Sequence, residues 1–125
     1  MFPSHDQGGS EVGTRNITHD RLQSDCFKWF WNTYPYYRRL MWMNYNNPKN
    51  AKHGATLKAL GMIKGVFDLL LYANGKLIAF EIKIEKDFIK PDQKTWGGLI
   101  EREGGQWYEI RSLDQFKKAI EIELP

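Results

Sequence analysis

Cysteine is almost missing from this chain. Cys26 stands alone, so no intramolecular disulfide can form and no cysteine-based zinc cage can be assembled. A reducing, cytoplasmic setting is the expectation that follows. Long apolar runs are missing too: none approaches the roughly 20 residues that cross a bilayer, and the first residues lack the charged-then-apolar layout of a secretory signal. A soluble protein with no membrane partner is therefore expected. There is no glycine-rich phosphate loop, no nucleophile elbow and no pair of histidines at helical spacing. His5, His19 and His53 are scattered and read as surface residues. No sign of charge dominates, because the formal net charge is only +3 and the pI about 9.0. A mild basic excess is compatible with nucleic acid without requiring it. No internal repeat is present.

The chain has 125 residues, enough for one domain with a core that needs no covalent staples. Aromatic residues make up 14%, with five Trp and six Tyr, more rings than such a core needs. Residues 1–17 are polar and rich in Gly and Ser, with no apolar period, and are expected to form a flexible tail. Residues 18–125 are expected to form the single domain. Leu22, Cys26, Trp29, Phe30 and Thr33 recur at helical spacing, which predicts a first helix capped by Thr18 or Asp20 and ended before Pro35. Arg38 to Met43 reads as a short edge strand, followed by an Asn-rich loop over 44–50. Ala55 to Leu60 reads as a short helix closed by Gly61.

Gly65 to Lys83 organises the rest. Asn74-Gly75 is the preferred pair for a two-residue type I′ turn, which needs φ > 0 at both central positions. With Ala73 facing Lys76 across that turn, Asp68 falls opposite Glu81, and Lys83 shares their face by the period-2 rule. Nearly all their neighbours are apolar, as in central strands covered on both faces. Two opposed carboxylates there are costly unless paired or metal-bound. Asp and Glu oxygens suit Mg²⁺, the Ile82 carbonyl can add a further oxygen, and Lys83 can orient a water or stabilise developing charge. Hydrolysis of a phosphodiester is the chemistry this grouping suits.

Beyond the hairpin, Pro91 opens a helix with Trp96, Leu99 and Ile100 inward. Its Gly97-Gly98 pair suggests close packing or backbone approach to a ligand, and Gly104-Gly105 ends it. Gln106 to Arg111 then returns as a parallel strand. Ser112 and Gln115 form a capping box for a last helix with Leu113, Phe116, Ala119 and Ile120 inward. The expected fold is α/β, a mixed sheet with a central antiparallel hairpin flanked by helices. Between 34 and 64, Tyr34, Tyr36, Tyr37, Trp42 and Tyr45 interleave with basic residues, so rings could stack on bases while charges neutralise phosphates. Arg38, Arg39, Lys52, Lys58 and Lys64, with Lys86 past the hairpin, are the nucleic-acid-binding candidates. Solvated charge and core aromatics are the plainer reading of the same segment.

Gly65-Val66-Phe67-Asp68, then Glu81-Ile82-Lys83, then Gln93 on the next helix, resemble the PD-(D/E)XK nuclease superfamily. More narrowly, the chain resembles the VRR-NUC family in its stand-alone phage and bacterial form, over about residues 18–111. The resemblance implies a restriction-endonuclease-like core, with Asp68 and Glu81 as metal ligands, Lys83 as catalytic lysine and Gln93 as its support. It implies a Mg²⁺- or Mn²⁺-dependent endonuclease acting on branched DNA, commonly as a homodimer, in a bacterial or phage-infected cell. Phe67 stands where the family often has proline, which is not a ligand. An acid on the first helix often completes such sites; here Asp20 is the acid available, with His19 beside it. A module of the same fold that binds nucleic acid without cutting it is the alternative.

Overall fold

Asn74 and Gly75 both take positive φ, 54° and 76°, so the Asn-Gly pair makes the I′ turn its chemistry favours. In the computed structural model, which describes residues 17–45 and 49–125, this turn joins β2 (Leu69–Ala73) to β3 (Lys76–Ile82). Ala73 faces Lys76, and Leu69 faces Phe80. Continued by one residue, this register brings Asp68 opposite Glu81. The two strands are the central pair of a four-stranded sheet. β1 (Met41–Met43) lies antiparallel on the outer side of β2, and β4 (Gln106–Ile110) runs parallel to β3.

Alternation on these strands separates two apolar layers. Leu69, Leu71, Ile78, Phe80 and Ile82 face a main core closed by Leu22, Cys26 and Phe30 of α1 (His19–Thr33) and by Phe116 and Ile120 of α4 (Leu113–Glu123). Phe67, Leu70 and Ala79 face the other way, onto Trp96 of α3 (Pro91–Arg102) and Trp107. Asp68, Glu81 and Lys83 share the strand parity of Leu70 and Ala79 and so fall on the side of that smaller layer, next to Phe67.

Caps set the helix boundaries. The Thr18 hydroxyl accepts the Arg21 N–H at 3.1 Å, which settles the first N-cap on Thr18. The expected short helix begins earlier than read, as α2 (Ala51–Ala59), because the Asn50 side chain accepts the His53 N–H at 2.8 Å. Gly61 ends it with φ 112°, as expected. The edge strand is shorter than read: Pro35 starts a 3₁₀ helix, Pro35–Leu40, that takes in Arg38 to Leu40. Ser112 caps α4 at Gln115 N–H, yet the Gln115 side chain reaches the Arg111 N–H instead of closing a reciprocal box. On α3, Gln93, Trp96, Gly97 and Ile100 form the inner stripe. Leu99 lies outside that arc and is exposed, correcting its assignment to the inner face. Residues 1–16, most of the expected tail, and 46–48 of the Asn-rich loop lie outside the described residues.

Candidate active site

Glycine brings the strand and helix of the site together. Gly65 has φ 93°, and a Cβ there would stand 2.5 Å from the Asp92 carbonyl oxygen, so only glycine lets the approach to β2 lie against the N-terminus of α3. Lys64 and Asp92 add an ion pair at 3.2 Å across the same contact. Phe67 follows, fully buried between the Trp96 and Trp107 rings at 5.1 and 5.2 Å. That packing explains a large ring in place of proline and fixes the residue before Asp68.

Glu81 is held by the Asp68 backbone, and Asp68 by the backbone of Ile82, the residue after Glu81. The Asp68 N–H donates to Glu81 Oε1 at 3.2 Å, and the Ile82 N–H donates to Asp68 Oδ2 at 2.9 Å. Because a strand residue turns its N–H and C=O to the same edge, the Ile82 carbonyl lies on the β2 side of β3. Lys83 is 2% exposed, with its N–H on the Ile110 carbonyl and its ammonium 3.3 Å from Glu81 Oε2. Gln93 donates from Nε2 to Glu81 Oε2 at 2.7 Å while its Oε1 accepts the Lys90 N–H at 2.9 Å. One side chain thus caps α3 and orients Glu81. Asp68, Glu81, Lys83 and Gln93 come together as one cluster at the open end of the hairpin.

Of the two first-helix candidates, His19 reaches the acids and Asp20 does not. His19 Nε2 lies 3.1 Å from Asp68 Oδ2, with the imidazole as donor to the carboxylate oxygen. The Asp20 side chain is fully exposed and meets only the far nitrogen of His19, at 3.6 Å. About 100° of helix rotation separates their directions, and spacing alone could not choose between adjacent residues. Asp87 is an addition that the sequence did not reveal: its carboxylate lies 3.5 Å from the Lys83 ammonium. It sits in a loop without period. Arg111 fixes that loop by donating to the Glu85 and Asp87 carbonyls at 3.0 and 2.5 Å and covering the Phe88 ring at 5.3 Å.

Burial and the neighbouring Asp68 push the Glu81 carboxyl up to about 7, outweighing the opposing effect of Lys83. The hydrogen bond to Asp68 raises the His19 imidazole, against the lowering effect of burial. Such a site gains from an added cation. Among the described residues no three His, Cys, Asp or Glu side chains form a ready-made cage. Mg²⁺ commonly takes one or two carboxylates and completes its shell with water and phosphate. Asp68 Oδ1 accepts no hydrogen bond from any described residue, and Asp68, Glu81 and the Ile82 carbonyl form an all-oxygen set. The residues fit that ion.

The basic candidates are less concentrated. Arg39, Lys52, Lys58 and Lys86 are exposed, and Lys86 borders an open groove with His19 and Asp87. Arg38 is committed to the end of α1, its Nε donating to the Trp31 carbonyl at 2.7 Å and its guanidinium over the Trp31 ring. Lys64 is the partner of Asp92.

A mixed sheet with a central antiparallel hairpin, helices on both faces and Asp…Glu-X-Lys at the hairpin's open end defines this α/β fold. More narrowly, it is the fold of a VRR-NUC domain. A solved structure described as a "VRR_NUC domain protein" matches with a TM-score of 0.69, covering 86% of this chain and 88% of that one at 17% identity. No protein-family model and no curated protein matches the chain.

Proposed function

We propose that this chain is a divalent-metal-dependent endonuclease that hydrolyses DNA phosphodiester bonds, selecting branched DNA such as a flap or four-way junction. The observation that carries this reading is the cluster of half-buried Asp68 with buried Glu81 and Lys83, oriented by Gln93, at the end of a fold shared with a VRR-NUC domain. Asp68 and Glu81, with the Ile82 carbonyl, would hold Mg²⁺ or Mn²⁺. When bound, the ion supplies Lewis-acid polarisation of the phosphate and a water of lowered pKa. His19 holds Asp68, and Gln93 holds Glu81, so neither carboxylate has to be reoriented as substrate arrives. The Lys83 ammonium orients the attacking water and stabilises negative charge on the phosphate. A two-fold homodimer would present two such sites to the two strands of a junction.

The test is cleavage of a panel of duplex, flap and four-way substrates with Mg²⁺ or Mn²⁺. Scission is expected to fall by about 10²–10⁴-fold in Lys83→Ala and to disappear in Asp68→Asn. Salt-sensitive binding with no scission in either metal would instead identify a non-catalytic nucleic-acid module. Undiminished scission in both variants would assign the activity to another site or protein.

A further inference from the structure

Beside the acids lies a cleft that the hydrolytic residues do not use. It is about 620 Å³ in volume, between the first half of α1 and β1, and its walls include Gln23, Ser24, Phe27, Trp42, Met43 and Leu69. It adjoins the candidate active site through three links. Asp20, also on its wall, follows His19; Leu69 follows Asp68; and the Asn44 N–H, next after Met43, donates to the Asp68 carbonyl at 3.0 Å. Trp42 and Met43 are large apolar residues left 45% and 57% exposed on an edge strand.

Resting on the nuclease reading above, we infer that this cleft receives one unpaired nucleobase from the DNA strand whose phosphate lies at Asp68 and Glu81. Its walls suit a base and not a phosphate. Among the described residues no lysine or arginine lines it, and the Asp20 carboxylate repels an anion but accepts from the exocyclic amines of adenine, cytosine or guanine. Gln23 and Ser24 add donors and acceptors beside an aromatic and thioether surface on which a base stacks. The side-chain nitrogen of Asn44 is buried with no hydrogen-bond partner among the described residues, a further donor beside the cleft. A second protein chain is the poorer occupant, because a three-residue edge strand offers only a short ladder for strand addition. The consequence is a substrate preference. DNA with an unstacked nucleotide at the scissile step, as at a flap or junction, fits without the energy needed to open a duplex.

The test uses the full chain carrying Lys83→Ala, so that binding is read without cutting. Its affinity in Mg²⁺ is measured by fluorescence anisotropy for a labelled single-stranded oligonucleotide and for copies with one abasic position moved along it. One abasic position is expected to weaken binding about 5- to 100-fold. Adding Trp42→Ala should weaken the intact oligonucleotide by a similar factor and erase the difference between intact and abasic copies, with Trp42→Phe restoring most of it. Equal affinity across the abasic series, or an abasic penalty unchanged by Trp42→Ala, would overturn the inference. So would a dimer in sedimentation that Trp42→Ala separates, which would assign the cleft to a second copy. Cleavage by the unsubstituted chain is read in parallel. Scission without a base effect sinks the pocket alone, and a base effect without scission sinks the nuclease reading alone.

Discussion

Between pH 4.5, the ordinary glutamic acid value, and about 7, the value burial and Asp68 give Glu81, the folded chain binds a proton at this position that the unfolded chain has released. The stabilisation from protonated Glu81 is therefore complete below about 4.5 and lost as pH rises through about 7. Without divalent metal, the thermal midpoint should fall between pH 5 and 8, and Glu81→Gln should flatten that slope in a calorimetric series. Adding Mg²⁺ at pH 8 should raise the midpoint of the native chain and leave Glu81→Gln nearly unmoved. Phe67 makes a second residue-scale claim. Fully buried between two Trp rings, it should cost about 3–5 kcal/mol when truncated to Ala, read by urea denaturation. The meeting of Asp68 and Glu81 was legible beforehand because a two-residue turn fixes register without tertiary help. Asp87 was not, since it follows Lys83 through a loop whose course is dictated by Arg111, whose partner carbonyls leave no mark in the sequence.

On α3 the two adjacent glycines separate into different roles. A Cβ on Gly97 would lie 2.8 Å from Trp107 Nε1, whereas one on Gly98 would meet nothing within 4 Å. Gly98→Ala should therefore stabilise the protein by up to ~1 kcal/mol through helix propensity alone, and Gly97→Ala should destabilise it; paired thermal melts would show the opposite signs. Gly65→Ala combines a left-handed backbone with a clash at the Asp92 carbonyl, so it should lower both stability and any cleavage by shifting Gln93 away from Glu81. The sequence pattern located the strong elements: period 3.6 for α1 and α4, period 2 around an Asn-Gly turn for the hairpin. It failed between Tyr34 and Lys64, where propensity is weak and local hydrogen bonds decide. Asn50 extends α2 backwards, and Pro35 turns half of the expected strand into a 3₁₀ helix.

At the scale of the molecule, no helix among the described residues is long and apolar enough to cross a membrane, and the exposed cations form a loose array and not a single dense patch. Replacing Arg39, Lys52 and Lys58 together should weaken DNA binding and reduce the slope of log affinity against log salt by about 0.7–0.9 for each phosphate no longer neutralised. Lys64→Ala should change that slope less, because Asp92 already neutralises it. Glu123, at the end of α4, has a longer reach than its position suggests. Its carboxylate takes the Lys76 ammonium at 2.9 Å and the Tyr108 hydroxyl at 2.5 Å, and its carbonyl takes the Asn74 side-chain amide at 2.7 Å. One residue thereby ties the hairpin turn and β4 to the last helix. During synthesis, the hairpin bearing Asp68 and Glu81 emerges well before the residue that anchors its far end. A nascent chain paused between positions 93 and 123 holds Asp68, Glu81, Lys83 and Gln93 without the buttress behind them, so competence for chemistry should follow the arrival of Glu123.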